Sequence, residues 1–191
     1  VSALDLAGHA HYLHLGGTPR VHLYGDVPAW LKRLPSDAEM VVHRRTLFGD
    51  DQTGIIDADR DAHESSQAVN VWRWSLKAST PERATLEALD ELTSEAGFES
   101  LDKIFESLTT LRPKQLMALL KACRSVKVRR LFFVFADRHQ HAWRKHLDVG
   151  RVDFGSGPRA LVEGGKLHPT YRIYVPKNFA PAKGTEANAD A

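Results

Sequence analysis

The chain has 191 residues, 42% hydrophobic and 26% charged, enough for one large domain or two small ones with a buried core. A single cysteine, Cys123, excludes an intrachain disulfide. No apolar run approaches the roughly 18 residues that span a bilayer, the longest being Leu131–Ala136. The net charge of +2 conceals a segregation: Gly49–Glu106 carries 14 acidic and 5 basic residues, whereas Arg112–His146 carries 10 basic residues and one acid, Asp137. A polyanion-binding face is therefore compatible with a nearly balanced total. With no basic leader followed by an apolar stretch near Val1, the expected location is the cytoplasm.

In chain order, His9–Leu15 and Arg20–Tyr24 flank Gly16-Gly17-Thr18-Pro19 and read as a β-hairpin. Pro28–Leu34 reads as a short helical turn with proline at its start, and Glu39–Arg45 as a strand. Gly49–Gln67 is polar, acidic and rich in turn formers, which predicts a long exposed connection and the place where a domain would subdivide. Val69–Leu76 alternates with period two but carries apolar groups on both faces, as an interior strand does.

Thr80-Pro81-Glu82 supplies an N-cap, a first-turn proline and a first-turn acid. Leu86, Leu89, Leu92 and Ala96 continue one stripe, and Gly97 is expected to end that helix. A second helix places Leu101, Ile104, Phe105 and Leu108 at i, i+3, i+4, i+7 and stops before Pro113. A third puts Leu116, Leu119, Leu120 and Cys123 on one face, with Lys114, Lys121 and Arg124 roughly opposite. In Lys127–Arg138 the stripe Val128, Leu131, Phe132, Phe135 omits Phe133 and Val134, so period alone leaves helix and buried strand open. The lack of Gly or Pro before Gly150 favours helix. From Arg151, Val152–Phe154, Arg159–Val162 and Tyr171–Val175 between glycines and Pro169 read as a β-hairpin or small meander. Residues 177–191 read as a disordered tail following a domain over 1–176. The fold class expected is α+β: an N-terminal hairpin and strands, a helical middle and a C-terminal β-hairpin.

Ten histidines raise the question of a metal. His9 and His11 would share a strand face, but His14 falls on the other, His22 lies across the turn, and no nearby carboxylate or thiol completes a shell. No metal and no cofactor are expected. Cys123 on an apolar stripe is disfavoured as a thiolate. The sequence contains neither a Gly-x-Ser-x-Gly elbow nor a phosphate-binding Gly-x-x-x-x-Gly-Lys loop. Asp153, Glu163 and Lys166 form the nearest set to a metal-dependent nuclease site.

The basic segment carries more weight. Lys114, Lys121, Arg124, Lys127, Arg129, Arg130, Arg138, Arg144 and Lys145 crowd two successive elements, with Trp143 among them and His139, His141 and His146 alongside. Clustered Lys and Arg release condensed counterions from a nucleic-acid backbone, so these nine are the expected nucleic-acid-binding residues. The same charges could pair within the molecule, meet an acidic partner or second subunit, or simply face solvent.

Several strings together resemble the C-terminal region of AbiEi-type antitoxins, the transcriptional regulators of type IV (abortive infection) toxin–antitoxin systems. They are Gly8-His9-Ala10-His11-Tyr12-Leu13, Val21-His22-Leu23-Tyr24-Gly25, Trp30-Leu31 with Leu34-Pro35, and Thr80-Pro81-Glu82-Arg83-Ala84. They continue as Leu111-Arg112-Pro113, Lys127-Val128-Arg129-Arg130-Leu131-Phe132, His141-Ala142-Trp143 and Gly164-Gly165-Lys166-Leu167-His168-Pro169. The resemblance runs from about Ala3 to Pro176. It implies a bacterial, non-enzymatic antitoxin that counteracts a nucleotidyltransferase-like toxin without requiring a stable complex with it. It also implies autorepression of the operon through DNA contact, with an N-terminal winged-helix domain reading the operator. No winged-helix sequence precedes Val1, so base specificity is expected from a domain outside these residues. Lys127, Arg129 and Arg130 carry over as candidates for the basic functional face, while His9, His11, Tyr12 and Tyr24 match family strings that a structural role explains equally well.

Overall fold

The computed structural model describes residues 2–9, 18–33, 35–44, 46–57, 77–162 and 164–181. Among these, the helices are α1 (Ser2–Leu6), α2 (Pro81–Asp90), α3 (Glu95–Ser107), α4 (Pro113–Ala122) and α5 (Val126–His139). The strands are short and paired: β1 (Arg20–Tyr24) with β2 (Glu39–His43), β3 (Ile55–Asp57) with β4 (Lys77–Ser79), and β5 (Lys166–Leu167) with β6 (Tyr174–Val175). The class is α+β, as the sequence indicates. None of the described helices is long and apolar enough to cross a membrane.

At the centre lies α5, whose residues Val128 to Ala136 are all buried, flanked by α2 and α3. This explains why Phe133 and Val134 stand outside a single stripe: a helix covered on every side has no solvent face for the pattern to spare. Aromatic rings fill the surrounding space. Phe105 stacks on Phe135 with centroids 4.8 Å apart, and Phe133 meets Phe154 edge-on at 5.4 Å. Such pairs contribute about 0.5–1.5 kcal/mol each beyond their area. Ser125 caps α5, its hydroxyl accepting from Val128 N at 3.3 Å, and Gln140 in the left-handed region ends it.

The boundary expected at Gly97 is displaced. Helix α2 ends at Asp90, and α3 restarts behind Ser94, whose hydroxyl accepts from Gly97 N. Gly97 sits in the first turn of α3, where a Cβ would lie 2.7 Å from Leu92 Cδ1. Leu92 packs against Gly97, and no helix stops there. Pro113 opens α4, with Leu116, Leu119 and Leu120 in the core.

Four further expectations change. Of the connection expected at Gly49–Gln67, residues 58–67 lie outside the described residues, and the described part is not wholly irregular: Ile55–Asp57 is a strand paired antiparallel with Lys77–Ser79, just after the buried Leu47 and Phe48. The Arg83 guanidinium donates to Asp51 O (2.7 Å) and Thr53 O (2.8 Å), tying this segment to α2. Val152–Phe154 follows a 3-10 turn (Val149–Arg151) and is not a strand; Val152 is buried and Phe154 packs on Phe133. Of Arg159–Val162 only Arg159 bridges to Ile173, beside the β5–β6 hairpin, so the C-terminal hairpin is present but short. Lys177–Phe179, placed by the sequence in the tail, form a 3-10 turn whose Phe179 is buried against Phe98 and Phe135, so the packed chain passes Pro176.

The strand expected at Arg20–Tyr24 is present, but among the described residues its partner is Glu39–His43, running parallel in the register Arg20↔Glu39 to Tyr24↔His43. The Gly25–Ala38 crossover that a parallel pair needs contains the expected helical turn, here 3-10 over Leu31–Arg33. The first arm of the proposed hairpin, the strand at Val69–Leu76 and residues 182–191 of the tail lie outside the described residues.

Candidate functional site

Helix α4 divides its residues by chemistry. Its inner face enters the core through Leu116, Leu119 and Leu120, while Lys114, Ala118 and Lys121 form an exposed strip at i, i+4, i+7. Arg124, just past the helix end, is exposed too; its guanidinium lies over Gly49 and its backbone N–H donates to Leu47 O at 2.9 Å. Lys145, in a 3-10 turn after α5, is also exposed. These four of the nine expected cations present their charge to solvent.

The other five are engaged by partners within the molecule, Arg138 while keeping 40% of its side chain exposed. Arg130 is 2% exposed; its Nε donates to Phe154 O (2.8 Å), Nη1 to Gly157 O (2.6 Å) and Arg172 O (2.7 Å), and Nη2 to Gly155 O (3.3 Å). Burial, together with the charges of Arg159 and Arg172, holds its pKa below the usual arginine value. Arg129 is 9% exposed, with Nη2 3.6 Å from Asp153, and its buried Nε has no hydrogen-bond partner among the described residues. Lys127 reaches back to the end of α2 and donates to Asp90 O at 2.5 Å, where a cation meets the negative end of the helix. Arg138 pairs with Asp102 at 3.0 Å, donates to Asn178 O and covers the Phe179 ring. Arg144 pairs with Asp137 at 2.5 Å and lies over Phe133.

The expected basic face is thus two populations: a surface strip, and a set of cations consumed by carbonyls and by Asp90, Asp102, Asp137 and Asp153. Arg130 is corrected from a phosphate contact to an internal tie, because a guanidinium already enclosed by four carbonyls has no reach to solvent. The histidines divide similarly. His139 donates to Asp102 at 2.8 Å and His141 to Phe105 O at 2.7 Å, whereas His146 is exposed. Trp143 is buried, its indole N–H donating to Leu108 O.

The remaining candidates fall to structural roles. Cys123 is buried, and burial pushes its thiol up to about 11. Asp153 accepts from Gly155 N and faces Arg129, while Lys166 donates to Pro181 O; Glu163 lies outside the described residues. A nuclease centre is not assembled by the two members described. His9 stands 3.4 Å from Ser107 Oγ, and His11 and His14 lie outside the described residues.

A different cluster does form. The parallel register places His22 and Tyr24 on one face of β1 and His43 opposite Tyr24, and the C-terminal cap of α2, Glu91, comes up against all three. His22 Nδ1 lies 3.0 Å from His43 Nε2 and 3.0 Å from Glu91 Oε2; His43 Nε2 lies 3.3 Å from Glu91 Oε1. The Tyr24 hydroxyl donates to Glu91, and its ring stacks on His43. Desolvation pushes the Glu91 carboxyl up, but bonds from His22 and Tyr24 and the nearby imidazoles outweigh it and hold the pKa below the ordinary range. The Tyr24 phenol is pushed far up by burial and by Glu91. Nothing in the sequence pairs residues so far apart; only the crossover and the α2 cap bring them together.

Comparison with protein families matches residues 18–176 to "Transcriptional regulator, AbiEi antitoxin, Type IV TA system". Neither a search of curated proteins nor one of solved structures finds a match.

Proposed function

The chain belongs to the AbiEi family of antitoxins, transcriptional regulators of type IV toxin–antitoxin systems, and on that premise we propose that its α4 surface makes the phosphate contacts through which it helps repress its operon. The same proposal has it act in the cytoplasm as the antitoxin of a nucleotidyltransferase-like toxin, without a lasting complex with that toxin.

One observation carries the DNA part: Lys114, Lys121 and Arg124 project to solvent from an element whose opposite face is locked into the core. Such a strip can meet a phosphate backbone without rearranging the fold, and it carries no base-reading information by itself. The internally paired cations support the reading by elimination, since charges already bound to carboxylates or carbonyls are less free to displace counterions from a phosphate backbone.

The test is a salt titration of duplex DNA binding by the chain and by the variant Lys114→Ala/Lys121→Ala/Arg124→Ala. Each lost phosphate contact removes about 0.9 from the slope of log K against log salt, so the triple variant should flatten it by about 3. No detectable binding at low salt, or an unchanged slope in the variant, overturns the DNA reading. The antitoxin part is tested by co-expression with the neighbouring toxin gene, where failure to restore growth counts against it.

A further inference from the structure

We propose that His22, His43 and Glu91 form a three-ligand site for a divalent cation of the zinc class, with Tyr24 positioning the carboxylate. The site would join the β1–β2 ribbon to the end of α2.

The spacing is the first argument. Four ligands at about 2.0–2.1 Å around a tetrahedral ion stand about 3.3 Å from one another. His22 Nδ1 and His43 Nε2 are 3.0 Å apart, His22 Nδ1 is 3.0 Å from Glu91 Oε2, and His43 Nε2 is 3.3 Å from the other oxygen, Glu91 Oε1. Closing on an ion requires the first two gaps to open by only about 0.3 Å.

Ligand chemistry is the second. Two imidazole nitrogens and one carboxylate are the donor set that leaves an open fourth position at catalytic zinc sites. Both imidazole nitrogens face each other and the Glu91 carboxylate, so one ion between them would engage all three side chains. The site is neither sealed nor open: the His22, His43 and Glu91 side chains are 12%, 23% and 23% exposed, which leaves room for a water as fourth ligand.

The third argument is the surroundings. Tyr24 donates to Glu91, as outer groups do when they orient a metal-binding carboxylate. Glu91 caps the C-terminus of α2, whose unsatisfied carbonyls favour positive charge nearby. A bound ion would tie a strand pair to that helix across residues far apart in the chain, so binding should stabilise the fold.

The test uses the whole chain, stripped of metal, titrated with Co²⁺ and then Zn²⁺. The expected result is one equivalent of Co²⁺ with the intense visible absorption of a tetrahedral nitrogen- and oxygen-ligated ion, displaced by Zn²⁺, together with a rise in the thermal midpoint. His43→Ala and Glu91→Gln should each weaken Zn²⁺ binding at least about tenfold, and Tyr24→Phe, acting through Glu91, by about tenfold. Lack of stoichiometric binding by the unaltered chain, or the weak spectrum of octahedral Co²⁺, overturns the proposal without any variant. Full binding by the His22→Ala/His43→Ala double variant also overturns it, by assigning the ion to other histidines. The site does not depend on the DNA reading: loss of one leaves the other standing.

Discussion

Replacing Arg130 by alanine is the sharpest test of how the buried cations are used. The substitution removes a guanidinium that is 2% exposed and leaves the carbonyls of Phe154, Gly155 and Gly157 without their donor, while Arg172 O keeps only the Arg159 N–H. Hydrogen bonds to a charged group contribute about 1.5–3 kcal/mol each, but bonds sharing one guanidinium are not additive. Truncating one side of a buried charge network costs about 3–5 kcal/mol, and we expect a loss in that range. For a chain of this size that corresponds to a fall in the thermal midpoint of about 10–15 °C. Arg130→Lys keeps the charge but cannot span four carbonyls with one ammonium, so it should lose about half as much. Circular dichroism during urea and thermal unfolding measures both. A loss below about 1 kcal/mol for Arg130→Ala would mean that water serves these carbonyls and that the 154–157 loop is not held by α5, which would refute the reasoning. The control separates stability from binding: Lys121→Ala should leave the midpoint within about 0.5 kcal/mol of the parent.

Acid should destabilise the fold in two stages. Burial lowers the His168 pKa, so the unfolded chain takes up its proton first and stability falls from about pH 6.5 downward. Glu82 and Glu91 follow: desolvation pushes both up, but bonds from Arg112 to Glu82 and from His22 and Tyr24 to Glu91 leave them below the ordinary range. Their contribution is full above the unfolded pKa near 4.3 and is lost as pH falls through their folded values. Thermal midpoints across pH 7 to 3 check this, and a flat profile contradicts it. Glu82→Gln, which weakens the three bonds from Arg112 N, Nε and Nη2, should cost about 2 kcal/mol and flatten the lower part of that profile; an unchanged profile would show that the clamp is not the source. Cys123, with its thiol pushed up to about 11, should resist alkylation at pH 8 in the native chain and react in denaturant. Stoichiometric labelling of the native protein would contradict its burial.

The helices were largely legible in the sequence because their signals are local: Thr80-Pro81 and Pro113 mark starts, and Leu116, Leu119 and Leu120 mark an inward face. Gly97 misled because it lies inside the first turn of α3, and the break falls earlier, between Asp90 and Ser94. The basic segment misled in the same way. Charge density along Arg112–His146 is a property of the chain, whereas the distinction between Lys121 facing solvent and Arg130 facing Arg172 O depends on where the C-terminal loops return. The His22–His43–Glu91 cluster was not legible at all, since it depends on a parallel register and on the point where α2 ends.

The burial of α5 on every side has a consequence for how the molecule opens. Amides of Val128–Ala136 have no path to solvent except the separation of α2, α3 and the C-terminal hairpin, so their exchange reports rupture of the whole core. Among the described residues the β1–β2 ribbon is two strands wide, so it can detach while that core stays dry. The chain therefore has a slow centre and a fast rim. A ligand that bridges β1, β2 and the end of α2 would slow the rim without altering the clock of the centre.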